Sequence, residues 1–425
     1  MSARAAQSSV AAHDRGLLVA AEVQVRGVSA QVHVAPGEVV ALLGANGAGK
    51  STLLGVAAGM LRPDRGRVEL DGEVLLAVGS SGGSGAVPGG PMNRPVDLPP
   101  HRRGVALLAQ EPLLFPHLSV LDNVAFGPRA AGASRRAARD AAARWLERVD
   151  LTHLADRRPG QLSGGQAQRV AVARALAAQP RALLLDEPMA ALDVTAAPEV
   201  RQLLRRVLSE AQDGAGPGQP PQPPVLLVTH DPLDALALAD RAVVLDAGHV
   251  VEEGPVREVL SQPRSAFAAR LAELNLLAGT AAADGLRAES GPTVAGVLDP
   301  GCSAGDAAVA VFPPAAVAIH REHPATGVSS PRNTIPVLVS AVEPRGALVR
   351  VRGSVEADPA SISPGNSGPG DSGPVDSGPV GHPAAAPVLA ADITAASAAD
   401  LDLVPGSRVW FAVKAAEVAV HAARR

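Results

Sequence analysis

The run Gly44-Ala-Asn-Gly-Ala-Gly-Lys50-Ser51 constrains the fold of this 425-residue chain more than any other feature. It follows a short apolar run at residues 39–43 and precedes a helical pattern that extends to about residue 60. Its glycines allow successive backbone N–H groups to turn toward one point, and the amino end of the helix adds partial positive charge. This order of strand, loop and helix predicts an α/β fold with a P-loop, for which GxxxxGK[ST] is the pattern.

The residue types in this loop suit contacts with a nucleotide. We expect Lys50 to neutralise the β- and γ-phosphates, Ser51 to ligate Mg²⁺, and Thr52 to contact phosphate. Backbone contacts with the phosphates are expected at the remaining loop positions, Gly44, Asn46, Gly47 and Gly49.

Two carboxylates end a second apolar strand, in Leu183-Leu184-Leu185-Asp186-Glu187. Taken alone, such a strand end is more often simply solvated, but beside a P-loop it indicates the second half of a nucleotide site. We expect Asp186 to hold Mg²⁺, directly or through water. Glu187 is expected to orient and polarise the attacking water.

The motif Leu162-Ser163-Gly164-Gly165-Gln166 resembles the signature of the ATP-binding subunits of ABC transporters. That resemblance implies an ABC nucleotide-binding domain, with a RecA-like core and a helical subdomain, whose cofactors are ATP and Mg²⁺. In the family, the signature faces the γ-phosphate of ATP on the opposite subunit. It therefore implies a head-to-tail dimer in which Ser163, Gly164, Gly165 and Gln166 contact the nucleotide of a second copy.

Three further motifs occur in the same order as in this family. The resemblance covers roughly residues 16–270. Gln110 lies where the family has a glutamine that contacts Mg²⁺ and senses the transporter. Asp193, in Leu192-Asp193, resembles the loop that crosses the dimer interface. His230, in Val-Thr-His-Asp, resembles the histidine that contacts the γ-phosphate. The resemblance therefore assigns catalytic roles to Lys50, Gln110, Glu187 and His230.

The chain departs from the family at two positions. The family usually stacks adenine on an aromatic residue ahead of the P-loop strand, but residues 23–34 contain none and the chain has no Tyr. Arg26 or a valine then has to cover the base. In addition, Ala190 stands where the family usually has a serine, which removes one hydroxyl from the expected dimer interface.

The segment at residues 111–127 resembles the surface on which the family receives its membrane subunits. The alternative is ordinary packing within the helical subdomain. The resemblance implies two transmembrane permease subunits and an extracytoplasmic substrate-binding protein as partners, and a location at the cytoplasmic face of the membrane. No run approaches the roughly 18 apolar residues that span a bilayer, and no signal peptide is expected.

Composition sets further limits on function. With 38 basic and 42 acidic residues the charge is nearly balanced, and this gives no reason to expect nucleic acid as a partner. Cys302 is the single cysteine, so neither an internal disulfide nor a cysteine-based zinc site is expected.

The chain is long enough for two domains. We expect a flexible tail at residues 1–14, the ABC ATP-binding domain at residues 15–270, and a small all-β, OB-like barrel at residues 275–425. This barrel resembles the TOBE and molybdate-binding modules of importer ATPases. A low-complexity insert with repeated Ser-Gly-Pro, at residues 355–386, is expected to interrupt it.

The barrel resembles the version found in molybdate importers, which makes molybdate or tungstate the expected cargo. A tetrahedral oxyanion can be held by N–H and O–H donors with one cation. The candidate residues for this oxyanion site are Ser330, Arg332, Asn333, Ser397 and Lys414. The alternative is a structural barrel that only joins two subunits.

Other functions stay open at this point. Sulfate, Fe³⁺ or a polyamine is the alternative cargo, because ATPases for these importers share such a tail. A non-transport ABC ATPase is a further alternative, although the chain has one P-loop and no heptad arm. A purely regulatory subunit without catalysis is disfavoured by Lys50, Glu187 and His230.

Overall fold

The computed structural model describes residues 15–79, 95–213, 222–289, 293–324, 331–356 and 386–423. The chain divides into two compact units, residues 1–259 and 260–425. The predicted tail at residues 1–14 lies outside the described residues, as do Ser330 and residues 357–385 of the predicted insert.

The N-terminal unit combines a mostly parallel sheet with an antiparallel one. Its strands in the described residues are β1 Leu17–Val23, β2 Val28–Val34, β3 Val39–Gly44, β4 Arg65–Leu70, β5 Glu73–Val78, β6 Val96–Asp97, β7 Val105–Leu108, β8 Ala182–Asp186, β9 Val225–Val228, β10 Arg241–Asp246 and β11 His249–Pro255.

The central sheet has the strand order β11-β10-β3-β9-β8-β7. Its neighbouring strands are parallel except for the β10–β11 pair. Every residue of β3 and β9 is buried, as expected for parallel strands with both faces covered. The second sheet, β2-β1-β4-β5-β6, is antiparallel. Strand β1 alternates between buried and half-buried residues, which is the period of a sheet with one face on the core.

The helices of the described residues are α1 Lys50–Ala58, α2 Val120–Ala130, α3 Arg135–Arg148, α4 Gly164–Ala177, α5 Ala196–Asp213, α6 Pro232–Leu238, α7 Val256–Ser261, α8 Ala266–Leu271 and α9 Ala395–Asp400. Serine side chains cap α2, α3 and α4 at their amino ends, which satisfies backbone N–H groups that have no partner within the helix. Apolar residues of these three helices share one core, for example Val124, Leu146 and Val170. The predicted α/β fold with a helical subdomain is confirmed.

A buried arginine fixes the carboxyl end of α1, the helix that follows the P-loop. Arg103 is 1% exposed. Its Nη1 donates to the carbonyls of Val56, at 2.7 Å, and Ala57, at 3.2 Å, while its Nε donates to the carbonyl of Leu98 at 2.7 Å. Its Nη2 pairs with Asp97 Oδ1 at 3.1 Å. The cation complements the negative end of the helix dipole.

The C-terminal unit is built almost entirely from strands. Those in the described residues are β12 Asn275–Ala282, β13 Gly285–Ala288, β14 Thr293–Ala295, β15 Val297–Leu298, β16 Ala307–Phe312, β17 Val317–His320, β18 Asn333–Arg345, β19 Leu348–Val355, β20 Val388–Thr394, β21 Arg408–Val413 and β22 Ala419–Ala422.

These strands form two sheets, β14-β13-β12-β16-β22-β15 and β17-β21-β18-β19-β20. Their pairs are antiparallel except for β15–β22. Phe312 from the first sheet and Val337 and Phe411 from the second lie in one core cluster. The 13-residue strand β18 carries an irregularity near residue 340, and such bulges bend a strand. The predicted all-β unit is confirmed, with its strands arranged in two sheets.

Among the residues that the structure describes, no helix combines the length and the apolar character needed to cross a bilayer.

Replacing Arg103 with Met is expected to destabilise the N-terminal unit by about 3 kcal/mol, because Asp97 and the carbonyls of Val56, Ala57 and Leu98 lose their partner. The measurement is urea unfolding followed by the fluorescence of Trp145. The chain has two tryptophans, Trp145 in the first unit and Trp410 in the second. A Trp410→Phe background therefore isolates the signal of the first unit.

The matched control is Arg62→Met. Arg62 also faces Asp97, with Nε 4.0 Å from Oδ2, but its side chain is 65% exposed. Its loss is expected to change the free energy of unfolding by less than about 0.5 kcal/mol. Equal effects of the two variants would contradict the role of Arg103.

Candidate functional site

Four predicted motifs follow the carboxyl ends of neighbouring parallel strands. The strand order β3-β9-β8-β7 places the P-loop after β3, His230 after β9, Asp186 and Glu187 at the end of β8, and Gln110 after β7. Because parallel strands end at the same edge, these groups share one edge of the central sheet. Ligands of open α/β sheets bind at this edge.

The P-loop is tightly packed at two glycines. A Cβ at Gly44 would lie 2.5 Å from the carbonyl oxygen of Leu245. Gly49 has φ of +105°, and a Cβ there would lie 2.6 Å from Val28 Cγ2. The chain can therefore follow this path only with glycine at these two positions.

Lys50 lies inside the loop that it follows. Its side chain is buried, and Nζ donates to the carbonyl oxygens of Gly44, at 2.7 Å, and Ala45, at 3.0 Å. Burial lowers the pKa of Lys50, while Glu187 and Asp186 act in the opposite direction. The ammonium group is thus placed between the loop and the carboxylates, where an anion bound to the loop would meet it.

The two residues after Lys50 differ in their exposure to solvent. Ser51 is exposed at the amino end of α1, whereas Thr52 is buried. Thr52 Oγ1 accepts a hydrogen bond from Arg26 Nη1 at 3.3 Å. Arg26 ends the short 3₁₀ turn Gln24–Arg26, beside the exposed side chain of Val25. The short turn that carries Arg26 therefore lies beside the first turn of α1, and residues 23–34 contain no aromatic side chain.

The two carboxylates at the end of β8 are held close to the loop. Burial raises the pKa of Asp186, the neighbouring Glu187 adds to this effect, and Lys50 opposes it. Glu187 has φ of +46°, and its backbone N–H donates to the carbonyl of Val228 at 2.9 Å. This turn of the chain directs the carboxylate of Glu187 toward β9 and the histidine that follows it.

His230 lies directly against Glu187. The distance from His230 Nδ1 to Glu187 Oε2 is 3.2 Å, and the histidine side chain is 60% exposed against 19% for the glutamate. The two groups that the sequence assigned to hydrolysis are therefore in contact. An exposed imidazole beside a carboxylate is suited to contact a phosphate and a water molecule together.

The loop of His230 is held by residues that the sequence analysis missed. Thr229 and Asp231 bond to each other, Asp234 bonds to Thr229, and Arg201 reaches both aspartates from α5. No short motif links Arg201 to residues some 30 positions later. The only sequence signal was the placement of two aspartates around the start of a helix.

The signature motif forms the amino end of α4. Ser163 Oγ accepts from the backbone N–H of Gln166 at 3.3 Å, and Gln166 Oε1 accepts from that of Ser163 at 3.0 Å. This reciprocal cap satisfies both groups. Ser163 and Gly164 are exposed, but Gly165 is buried. The exposed part is open to a second molecule.

The remaining two candidates lie on the surface. Gln110 is exposed two residues beyond β7. Asp193 is exposed, and its Oδ1 accepts from the N–H groups of Thr195, at 3.0 Å, and Ala196, at 2.8 Å. A hydrogen bond from the Thr195 hydroxyl, together with these two backbone bonds, lowers the pKa of Asp193. Its carboxylate thus stabilises the turn at the start of α5.

The predicted docking segment is anchored by an arginine of the signature helix. Arg174 donates from Nη1 to the carbonyl of Leu113 at 2.8 Å and from Nη2 to that of Pro112 at 3.0 Å. The rings of Phe115 and Phe126 are in tilted contact, with their centroids 4.6 Å apart. The side chains of Leu113 and Phe126 are exposed, so an apolar surface is joined directly to α4.

In the C-terminal unit, three of the four described oxyanion candidates, Arg332, Asn333 and Lys414, lie at one end of a sheet, and Ser397 lies at the other. Ser330 lies outside the described residues. Arg332 and Lys414 are exposed at adjacent strand ends, because Asn333 and Val413 are partners in the β18–β21 pair.

Asn333 and Ser397 have local partners. The buried Asn333 side chain bonds the N–H and the carbonyl of Ala295, at 2.7 and 2.8 Å, and so ties β14 to β18. Ser397 bonds Thr394 at the start of α9, beyond the end of β20. The strand register places that end beside the carboxyl end of β18, opposite to Asn333.

Comparisons with known proteins agree with the geometry. A family model described as ABC transporter matches residues 28–190, and one described as TOBE domain matches residues 381–420. Each match falls within one of the two units of the chain.

The molybdenum import ATP-binding protein ModC of Mycobacterium tuberculosis is 46% identical over 403 residues, which are 94% of this chain and 95% of that protein. The molybdate/tungstate import ATP-binding protein WtpC of Archaeoglobus fulgidus is 40% identical and covers 56% of this chain and 85% of its own. The spermidine/putrescine import ATP-binding protein PotA of Frankia alni is 42% identical over 63% of this chain and 51% of its own length.

The two glycines of the signature provide a matched test of packing. A Cβ at Gly165 would lie 2.9 Å from Ala196 Cβ, whereas one at Gly164 would lie 3.8 Å from Leu192 Cδ2, an ordinary contact. Gly165→Ala is expected to destabilise the N-terminal unit by about 1–3 kcal/mol through overpacking. Gly164→Ala is expected to leave its stability within about 1 kcal/mol. Urea unfolding checks both, and an equal loss in the two variants would contradict this packing.

Proposed function

This chain belongs to the ABC transporter ATP-binding proteins, and we propose that it hydrolyses ATP to drive the uptake of molybdate or tungstate. The observation that supports molybdate or tungstate as the cargo is the 46% identity to a molybdenum import ATP-binding protein along 94% of this chain. That similarity runs through the C-terminal unit as well as the nucleotide site. The two other relatives described above match this chain over 56% and 63% of its length.

The P-loop is proposed to bind the phosphates of ATP. Backbone N–H groups at residues 44–49 and the amino end of α1 would face the phosphate oxygens. Lys50 would exchange its bonds to the carbonyls of Gly44 and Ala45 for the β- and γ-phosphates. Arg26, which bonds Thr52, is the candidate side chain beside the adenine.

The residues present fit Mg²⁺, which prefers oxygen ligands. The exposed hydroxyl of Ser51 opens α1, and the carboxylate of Asp186 is near enough to Lys50 for each to affect the pKa of the other. Gln110 lies two residues beyond the end of the neighbouring strand β7. When bound, the ion would supply positive charge against the phosphate oxygens.

Glu187 and His230 are proposed to act on the attacking water and the γ-phosphate. Glu187 would accept a hydrogen bond from the water and so orient its lone pair toward phosphorus. His230, 3.2 Å from Glu187, would contact the γ-phosphate from the same side. The contact between the two side chains would keep Glu187, which orients the water, close to His230, which contacts the γ-phosphate.

A second copy of the chain is proposed to complete the site. The exposed Ser163 and Gly164 at the amino end of α4 offer donors to an anion. In a head-to-tail dimer they would face the γ-phosphate bound to the other copy, with Asp193 near the interface. The apolar surface around Leu113 and Phe126 would receive two permease subunits at the cytoplasmic face of the membrane. An extracytoplasmic substrate-binding protein would deliver the cargo.

Glu187→Gln in the full-length chain is expected to reduce ATP turnover by about 10²–10⁴-fold, the usual contribution of a general base, while ATP binding persists. Phosphate release and equilibrium ATP binding are the two measurements. The control Glu258→Gln changes an exposed glutamate of α7 and is expected to hydrolyse ATP at the wild-type rate. Undetectable turnover by wild type would revive the alternative of a regulatory subunit.

The cargo is tested by deleting the gene for this chain and measuring cellular molybdenum and tungsten by mass spectrometry at limiting supply. Wild-type complementation is expected to restore both metals, and Glu187→Gln complementation is expected to restore neither. Uptake of sulfate, Fe³⁺ and putrescine serves as the control and is expected to remain unchanged. Loss of one of these, with normal molybdenum, would assign the chain to that cargo instead.

A further inference from the structure

The position of His230 depends on the backbone that carries it. Its side chain is 60% exposed, with Glu187 as its neighbour at 3.2 Å, so little packing restrains the ring itself. The residue lies between the end of β9 and the start of α6. Whatever holds this short turn therefore determines where the imidazole meets Glu187.

A buried polar network surrounds this turn. Thr229 Oγ1 donates to Asp234 Oδ2 at 3.2 Å and accepts from the backbone N–H of Asp231 at 3.0 Å. Asp231 Oδ1 accepts from the N–H of Leu233 at 2.8 Å and so caps α6. Thr229 and Asp234 are 2% and 3% exposed. The residues on both sides of His230 are thus bonded to one another and to α6.

Arg201 joins this network from a different helix. Its Nε donates to Asp234 Oδ1 at 2.5 Å and its Nη2 to Asp231 Oδ2 at 3.0 Å, and its side chain is 19% exposed. The planar guanidinium presents its N–H donors to the two carboxylates in one rigid fork, whereas an ammonium group is a point charge with rotatable donors. Burial raises the pKa of Asp234, and Arg201 opposes that shift. The cation thereby favours the charged carboxylate that the network requires.

The helix that carries Arg201 begins at the predicted dimer interface. Asp193 Oδ1 bonds the N–H groups of Thr195 and Ala196, and α5 starts at Ala196. Ala196 also packs against Gly165 of the signature helix. Arg201 lies within the first two turns of α5, so a displacement of the Asp193 turn moves Arg201 with it.

We propose that Arg201 is a positioning residue that holds His230 against Glu187, and that through it α5 links the Asp193 turn to this pair. The proposal rests on the proposed hydrolysis of ATP by Glu187 and His230. Arg201 touches neither nucleotide nor water in this scheme. It acts through Asp231 and Asp234, on either side of the histidine.

The test must separate this role from a simple connection between α5 and α6. Arg201→Lys keeps a positive charge beside the buried Asp234 but replaces the rigid fork with a shorter side chain that ends in a single ammonium group. The matched control is Arg205→Lys, one turn further along α5, where the side chain is exposed. Single-turnover hydrolysis at saturating ATP, equilibrium ADP binding and the thermal midpoint are measured for each full-length variant.

Arg201→Lys is expected to slow hydrolysis about tenfold or more with ADP affinity unchanged, and Arg205→Lys is expected to match wild type. The decisive comparison is made in a His230→Ala background, where Arg201→Lys should cause no further loss because its effect passes through the histidine. The same fold-reduction in both backgrounds, or a rate within twofold of wild type, would overturn the proposal.

The thermal midpoint keeps the result interpretable. If Arg201→Lys unfolds at the assay temperature, the pair Arg201→Met with Asp234→Asn removes both buried charges and replaces it in the same comparison. Wild-type turnover that is lost in Glu187→Gln establishes the proposed function separately. A failure of the Arg201 effect alone then counts against this inference only.

Discussion

The common edge formed by β3, β9, β8 and β7 is the constraint on which the N-terminal unit depends. Each strand ends at this edge with a different chemical group. The strands are short, and β3, β8 and β9 are almost entirely buried, so the hydrogen-bond register of the sheet fixes the spacing of the groups. A shift of one strand by one residue would move its terminal group and turn its side chains to the other face. The chemistry of the site is therefore built into the core.

Electrostatic balance at this edge follows from the same arrangement. Burial disfavours the charged forms of both Lys50 and Asp186, and each favours the charged form of the other. Lys50 is bonded to two loop carbonyls, which are weaker partners for an ammonium than phosphate oxygens are. An anionic ligand would therefore exchange neutral partners for charged ones at a site that is already formed.

Much of this site could be predicted because its parts are local in sequence. Glycines at the P-loop, two carboxylates after an apolar strand and a histidine after another each mark a strand end, and the structure places all of them at one edge. The family assignment and the all-β character of the C-terminal unit are confirmed. Their patterns are likewise short-range, either as motifs or as the alternation of strands.

The long-range arginine contacts could not be predicted. Arg103, Arg174 and Arg201 each reach carbonyls or carboxylates on a separate element, and their sequence neighbourhoods carry no signal of that partner. The C-terminal unit shows the converse. Asn333 and Ser397 have suitable donors, but Asn333 holds Ala295 and Ser397 lies beyond the opposite end of the sheet. Residue type alone does not show which polar groups form hydrogen bonds within the fold and are therefore not available to a ligand.

The pairing of the P-loop of one copy with the signature motif of another is the central feature of the proposed function. It is tested most directly by mixing two inactive full-length variants, Lys50→Ala, which lacks the phosphate-binding lysine, and Ser163→Arg, which blocks the exposed end of α4. Each is expected to hydrolyse no ATP alone. Their mixture is expected to regain turnover, because one of the two nucleotide sites in each mixed dimer combines an intact P-loop with an intact signature. A mixture that stays inactive although the two variants demonstrably associate would contradict the shared site.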